Sequence, residues 1–377
     1  MTSRIRVLDM ARPRVKPELT PYATVDGTVR IGATVYGLGM EIDDPDGRIE
    51  TLVVTLDGTR SPDEIVSAVS THHEKASARE IVDTMQQLLD AGLLEDYGAP
   101  VPAELTDRER DRYSRSIPFL RWIDRLPRAS SWDVQIKLRR SRVLLIGLGG
   151  VGGAVAQGLV ASGVGSLHCI DADFVELSNL NRQVLYREAD IGRTKVDAAT
   201  EHLRDLNSDV EISGEQRWIV SEADLSALLE PSYDLVALCA DNPRVIRRWA
   251  NRAFYPAGIT WVVGGYHGPM ASASVHGPES GACWECLHDQ AVDAPDMRMP
   301  PGMSIDDLNP RFPWEPVNIV SATITGAFLT HFALAVLTGA PPIEPGFSYE
   351  VNLAIPGEST LIRHARRADC PTCGDSR

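Results

Sequence analysis

The chain has 377 residues, enough for two or three domains, and its 43% apolar content suffices for their cores. Its 52 acidic against 37 basic residues give a formal net charge of −15, which argues against general affinity for nucleic acid or an anionic membrane and favours a basic peptide partner. Arg, Lys and Pro interrupt the first 21 residues, so no secretory h-region is read there, and the most apolar stretch, 319–337, carries Ser321, Thr323, Thr325, Thr330 and His331 and reads as a buried helix; a cytoplasmic enzyme is expected.

Residues 1–21 read as an N-terminal tail, and residues 22–99 as a small α+β unit. Thr28-Val29-Arg30-Ile31 alternates as a strand, and Glu50 to Leu56 is read the same way, breaking at Asp57-Gly58. Ser61-Pro62-Asp63-Glu64 then opens a helix, with Ser as cap, Pro at the first helical position and Glu closing a capping box; Ile65 and Val69 share its inner face. A second helix carries Ile81, Met85, Leu88 and Leu89 and stops at Ala91-Gly92, after which Leu93-Leu94-Glu95 is extended. Residues 100–141 read as a linker with an arginine-rich helix, in which Arg108, Arg110 and Arg112 alternate with acids on a surface face. Trp122 and Trp132 suit either a core or a peptide groove.

At Arg142 the pattern changes. The apolar strand Arg142-Val143-Leu144-Leu145-Ile146 runs into Gly147-Leu148-Gly149-Gly150-Val151-Gly152, and Asp171 ends the next strand 24 residues after Gly147. Gly147 permits the tight turn, Gly149 lets backbone approach a phosphate, Gly152 packs helix on sheet, and the acid can bind ribose hydroxyls. Nicotinamide dehydrogenases share this motif. They do not need the residues that follow: Asp173, Ser178-Asn179-Leu180-Asn181-Arg182-Gln183, Gly192-Arg193-Thr194-Lys195, and Ala240-Asp241-Asn242. Chemistry at the α-phosphate of ATP does, because cations must neutralise the polyphosphate and a carboxylate must hold magnesium. Arg182 and Lys195 suit the first task and Asp241 the second; taken singly, each cation could be a solvated helix charge, and Asp241 could cap a helix opened by Pro243.

Four of the six cysteines form two C-x-x-C pairs, Cys283/Cys286 and Cys370/Cys373, a spacing suited to one tetrahedral zinc; disulfides are the alternative. Cys169 and Cys239 sit inside apolar strands and read as small buried hydrophobes, while residues 288–316 contain no cysteine. His267, His276 and His288 are acid–base candidates by residue type alone.

From Arg108 to Cys373 the chain resembles the ThiF/MoeB/HesA adenylyltransferases, relatives of the ubiquitin-activating enzymes that form acyl-adenylates on protein or peptide carboxylates. The resemblance implies an α/β, Rossmann-like ATP-binding domain over 142–377 with Gly150 against the phosphates, Asp171 on the ribose, Asn179, Arg182 and Lys195 along the triphosphate, and Asp241 on magnesium; Gly147, Gly149, Gly152, Asp173 and Asn242 complete the expected nucleotide set. It implies that Arg115 reaches the nucleotide of a neighbouring subunit, hence a homodimer, and that the four cysteines hold structural zinc. With no cysteine where ubiquitin-type activators carry theirs, the reaction is expected to stop at the adenylate or pass it to an external nucleophile.

The small unit resembles PqqD-like winged-helix domains through Leu56-Asp57-Gly58-Thr59, Pro62-Asp63-Glu64-Ile65 and Gly92-Leu93-Leu94. Such domains add a leader peptide to a sheet edge. The implied function is ATP-dependent adenylation of a carboxylate on a ribosomally made precursor peptide, with pyrophosphate released. Alternatives are adenylation of the C-terminal Gly-Gly of a ubiquitin-like sulfur carrier, and, in another class, a non-catalytic leader-binding scaffold.

Overall fold

The computed structural model describes residues 5–229, 233–279, 281–292, 300, 303 and 316–374. The chain divides into two compact units, one of residues up to Lys137 with 338–342, the other of 138–337 with 343–377.

The first unit contains β1 (Pro13–Val15), β2 (Pro21–Ala23), β3 (Thr28–Ile31), β4 (Met40–Asp43), α1 (Arg48–Thr55), α2 (Pro62–His72), α3 (Ala78–Asp90), β5 (Leu94–Asp96), α4 (Asp107–Tyr113) and α5 (Ser116–Ile123); α6 (Asp133–Arg140) carries the chain into the second. β2, β3 and β4 form an antiparallel sheet in that order. The expected capping box of Ser61 with Glu64 forms in full at α2, and the structure adds an equivalent one, Ser77 with Glu80, at α3. Gly92 ends α3 at φ 70°, where any Cβ would collide with the Arg125 backbone.

Two expectations change here. Residues 50–56 are not a strand but lie within and just past helix α1, because Ile49, Leu52, Val53 and Leu56 recur at the helical period and are all buried, and the Asp44 carboxylate accepts from the Ile49 and Glu50 amides at 2.8 and 2.9 Å. Nor are residues 5–21 a free tail: β1 pairs antiparallel with β5, and Val7, Met10, Val15 and Leu19 are part of this unit's core.

The second unit is built on β6 (Arg142–Ile146), α7 (Gly150–Ser162), β7 (Ser166–Asp171), α8 (Lys195–Leu206), β8 (Glu211–Gln216), α9 (Glu222–Leu228), β9 (Leu235–Leu238), α10 (Ile246–Phe254), β10 (Trp261–His267), β11 (Met270–His276), α11 (Trp284–Val292), α12 (Ile319–Thr338), β12 (Phe347–Asn352) and β13 (Ser359–Arg363). Its eight-stranded sheet runs β13-β12-β11-β10-β9-β6-β7-β8. The five strands from β10 to β8 are parallel, with β6 and β9 at their centre carrying the buried runs typical of such strands, and the rest are antiparallel. This mixed α/β sheet fits the expected Rossmann-like class, and its strand order reverses between β6 and β9, where such sheets open a crevice beyond their carboxyl ends.

α12 is long and apolar enough to cross a membrane by length and composition. Its Leu329 and Ala333 lie in the core, and Gly326 approaches Ala154 of α7 so closely that a Cβ there would sit 2.6 Å from the alanine Cβ.

Candidate active site

A cleft of about 310 Å³ opens at the strand-order reversal. Its floor is the glycine turn. Gly147 takes φ 95°, and a Cβ on it would lie 2.5 Å from the Ala240 nitrogen, so the turn requires glycine. Gly149 precedes the first turn of α7 and faces open space, leaving room for a ligand against the unpaired amides of the helix start. Gly150 lies against Arg182, whose Cγ would be 3.4 Å from an added Cβ. Gly152 is buried under the turn, where a Cβ would overlap the Gly147 carbonyl, so it packs helix on sheet and does not line the cleft.

Asp171, at the end of β7, accepts from the Leu148 amide at 2.6 Å and the Asp173 amide at 2.8 Å. It therefore ties the glycine turn to the β7 loop, while its remaining lone pairs can accept from ribose hydroxyls. Asn179 is buried in the wall and accepts from the Glu176 amide at 3.1 Å. Arg182 donates to Ser178 O at 3.0 Å and Asn181 Oδ1 at 2.9 Å, which holds its guanidinium at the cleft. Lys195 is no solvated helix charge: its side chain is 7% exposed, at the first position of α8, paired with Asp173 Oδ2 at 2.8 Å. A buried cation at a helix N-terminus opposes the helix dipole, an arrangement that an anionic ligand would relieve. Asp241 and Asn242 follow β9 on the far wall. The flanking residue of α10 is Val245, with no side-chain cap, so capping does not account for Asp241. The exposed Asp241 carboxylate is of the hard-oxygen type that suits magnesium.

Several lining residues escaped sequence reasoning, among them Arg217, which pairs with Glu215 at 3.9 Å and Asp224 at 3.6 Å. Trp218 stands 60% exposed two residues past β8, a bare aromatic face in the same cleft as Asp171. Tyr266 lies at the end of β10. Arg247, in the first turn of α10, donates to Gly264 O at 3.3 Å; burial lowers its pKa, and the charge of Asp241 works the other way.

Arg115 is exposed at the start of α5 in the first unit and does not line this cleft. In that same helical region Arg110 pairs with Asp107, as expected of a surface face. Cys169 is buried, as read, whereas Cys239 is only half-buried and lines the cleft; burial pushes both thiols up to about 12. Of the acid–base candidates, His276 is fully buried, burial lowers its pKa to about 3, and it lies away from the cleft lining, which excludes that role. His288 stacks on Trp284 at 4.7 Å, and neither it nor His267 lines the cleft. Most of the cysteine-free segment 288–316 lies outside the described residues.

Elsewhere in the unit all six cysteines are unbonded, and the sulfurs of Cys283, Cys286, Cys370 and Cys373 lie within 4.8 Å of one another, all buried. The Cys283–Cys370 and Cys286–Cys373 separations of 3.6 and 3.4 Å approach the spacing that ligands ~2.3 Å from a tetrahedral zinc require. Asn251 Nδ2 donates to Cys283 Sγ at 3.3 Å and the Arg367 amide to Cys286 Sγ at 3.4 Å, bonds that stabilise thiolate ligands. The cluster can hold one zinc.

The chain is 38% identical over 186 residues to the molybdopterin-synthase adenylyltransferase of Escherichia coli, covering 49% of this chain and 70% of that protein. It is 33% identical to the sulfur carrier protein adenylyltransferase of Thermus thermophilus, over 72% of this chain and 93% of that one. With the adenylyltransferase and sulfurtransferase MOCS3 of Bos taurus it shares 32% identity over 80% of this chain, which spans 63% of the bovine protein. In fold it is similar to E. coli MccB, with a TM-score of 0.77 at 21% identity over 96% of this chain and 97% of that one. A structure of MccB with ATP matches with a TM-score of 0.71 at 20% identity over 96% and 99%. Residues 113–371 match the ThiF family, and the chain belongs to that family.

Proposed function

We propose that this protein is an adenylyltransferase that forms an acyl-adenylate on a carboxylate of a ribosomally made precursor peptide, releasing pyrophosphate. The observation that carries the reading is the convergence of Arg182, Lys195 and Asp241 on a glycine turn at the strand-order reversal. The adenylyltransferase names of the relatives support the reaction, and the extent of the MccB likeness, 96% of this chain, supports a peptide acceptor, since the MccB structures include one with AMPCPP and MccA.

In this reading an acceptor carboxylate oxygen attacks the α-phosphorus, the bond from that phosphorus to the bridging oxygen of the β-phosphate breaks, and pyrophosphate leaves with the electron pair. Asp171 and Asp173 bind the ribose, and Gly150 and the first amides of α7 take the phosphates. Arg182 and Lys195 offset the charge that develops on the leaving group, Lys195 exchanging Asp173 for a phosphate oxygen. Asn179 supports this wall and Asn242 flanks Asp241. Magnesium, which Asp241 would hold, supplies further neutralisation of the polyphosphate. The chain acts as a cytoplasmic homodimer in which Arg115 enters the partner's site, zinc occupies the four-cysteine cluster, and neither nucleic acid nor membrane takes part. In the first unit, β2 and β4 are the outer strands of a three-stranded sheet to which a leader could add.

A second reading, adenylation of the C-terminal Gly-Gly of a sulfur-carrier protein, is favoured by the names of relatives 33 to 38% identical. Exchange of labelled pyrophosphate into ATP separates the two. It is expected with a precursor peptide whose leader the first unit binds and not with a Gly-Gly carrier; the reverse outcome establishes the second reading. Asp241→Ala is expected to lower exchange by roughly a hundredfold or more without changing the melting temperature, because an exposed carboxylate is removed from the site and no core packing is lost. Parent-level exchange by that variant would overturn the magnesium assignment.

A further inference from the structure

Beside Arg182 and Lys195 the cleft is lined by two further arginines: Arg217, which faces Glu215 at 3.9 Å and Asp224 at 3.6 Å, and Arg247, which the nucleotide-binding set does not use. Arg247 lines its inner wall from α10, and among the described residues its guanidinium makes one hydrogen bond, to Gly264 O at 3.3 Å, and no ion pair. A guanidinium carries five N–H donors in a rigid fork, so most of this one is left to face the cleft. The local backbone is shaped to receive it: Gly265 passes so close that a Cβ there would sit 2.8 Å from Nη2, and the Gly265 carbonyl is occupied separately by the Thr325 hydroxyl at 3.2 Å. An arginine held on a glycine, partly buried and without a carboxylate in contact, carries a desolvation cost that a bound anion would offset.

Which anion follows from the order of residues across the sheet. The ribose acid Asp171 ends β7, and Arg182 and Lys195 come from the segment after it, so the nucleotide runs from β7 to the glycine turn after β6. Arg247 lies beyond that turn, on the side of β9 and β10, with Asp241 on the intervening loop. Once the phosphates occupy the glycine turn, the space left in front of Arg247 is the acceptor's.

We propose that Arg247 receives the acceptor's reacting carboxylate, orienting it against the α-phosphorus through its guanidinium fork. One carboxylate oxygen remains on the arginine while the other attacks. The inference rests on the adenylation reading but applies equally to a peptide and to a carrier acceptor, because both present a carboxylate. It makes Arg247 the residue through which the site selects an acid over its amide.

The test uses the full chain with AMPCPP as nucleotide and N-acetylglycylglycine or its amide as probe, with binding followed by NMR titration. The parent is expected to favour the acid by roughly tenfold or more, the range of a charge-assisted hydrogen-bonded pair. Arg247→Met should bind AMPCPP within about twofold of the parent yet lose the acid preference, and Arg247→Lys, which keeps the charge without the fork, should retain part of it. If the methionine variant does not fold, the lysine variant alone decides, because an unchanged preference there denies the fork any role. A preference that persists in Arg247→Met, or none in the parent, overturns the assignment. So does AMPCPP binding weakened about tenfold with acid preference intact, which would place Arg247 on the phosphates. Failure of the parent to bind AMPCPP removes the nucleotide reading itself and this inference with it.

Discussion

At the scale of single residues, chemistry-bearing side chains mean what their surroundings let them mean. His276 pairs in the sheet opposite Trp261, ring to ring at 5.3 Å, is buried, and among the described residues has a hydrogen-bond partner for neither ring nitrogen. Burial lowers its pKa from 6.5 to about 3. The folded protein therefore refuses a proton that the unfolded chain accepts between those values. Stability is whole above pH 6.5 and falls as the pH drops towards 3, by about 4 to 5 kcal/mol in the limit. His276→Phe is expected to be neutral or stabilising at pH 7, since it removes two unsatisfied buried nitrogens, and to flatten the acid limb of stability by roughly 2 to 3 kcal/mol at pH 4.5. Urea melts at the two pH values measure this; superimposable acid limbs would show that His276 is not the group responsible.

At the scale of elements, the helix starts were the easiest features to read and the β-branched helix the hardest. The boxes at Ser61 and Ser77 depend on side chains three residues apart, so local sequence carries them in full. α1 has the composition of a strand, Thr-Leu-Val-Val-Thr, and only the burial of Ile49, Leu52, Val53 and Leu56 on one face makes it a helix. Its first turn leans on Asp44, a buried carboxylate that binds two backbone amides. Asp44→Ala is expected to destabilise the first unit by about 1 to 2 kcal/mol, with Asp44→Asn intermediate. A chemical melt of the full chain, followed through a probe in that unit, checks the order, and an alanine variant as stable as the parent would deny Asp44 the capping role.

At the scale of the molecule, what matters is which distant segments meet. Cys283-x-x-Cys286 and Cys370-x-x-Cys373 are 87 residues apart in matched pairs, yet their sulfurs form one cluster, so a zinc there would close a long loop of the second unit. Elemental analysis is expected to find about one zinc per chain, and Cys370→Ser to lower the melting temperature by roughly ten degrees while AMPCPP affinity changes less than about threefold, because a structural zinc contributes folding energy and not ligand contacts. A metal-free protein melting at the parent temperature would contradict this. The cleft has the same long-range origin: its walls come from the ends of β6, β7, β9 and β10, strands made neighbours by the 3-2-1-4-5 order of the parallel half.

By itself the sequence determined the features whose physics is local. The glycine turn, the acid ending β7, the capping boxes and the C-x-x-C spacings each depend on a handful of adjacent residues, and Gly147, Asp171, Asn179, Arg182, Lys195 and Asp241 all line the cleft as read. Tertiary structure alone decided the rest. It drew residues 5–21 into a core through the pairing of β1 with β5, made 50–55 helical by offering a buried face with the helical period, and sealed His276 in the sheet. It also set Arg247 and Trp218 in the cleft wall, where no local pattern marks them. The physical reason is that a motif is recognised by bonds a few residues make with one another, whereas burial, and with it the cost of an unpaired charge or ring nitrogen, depends on which distant segments pack around a residue.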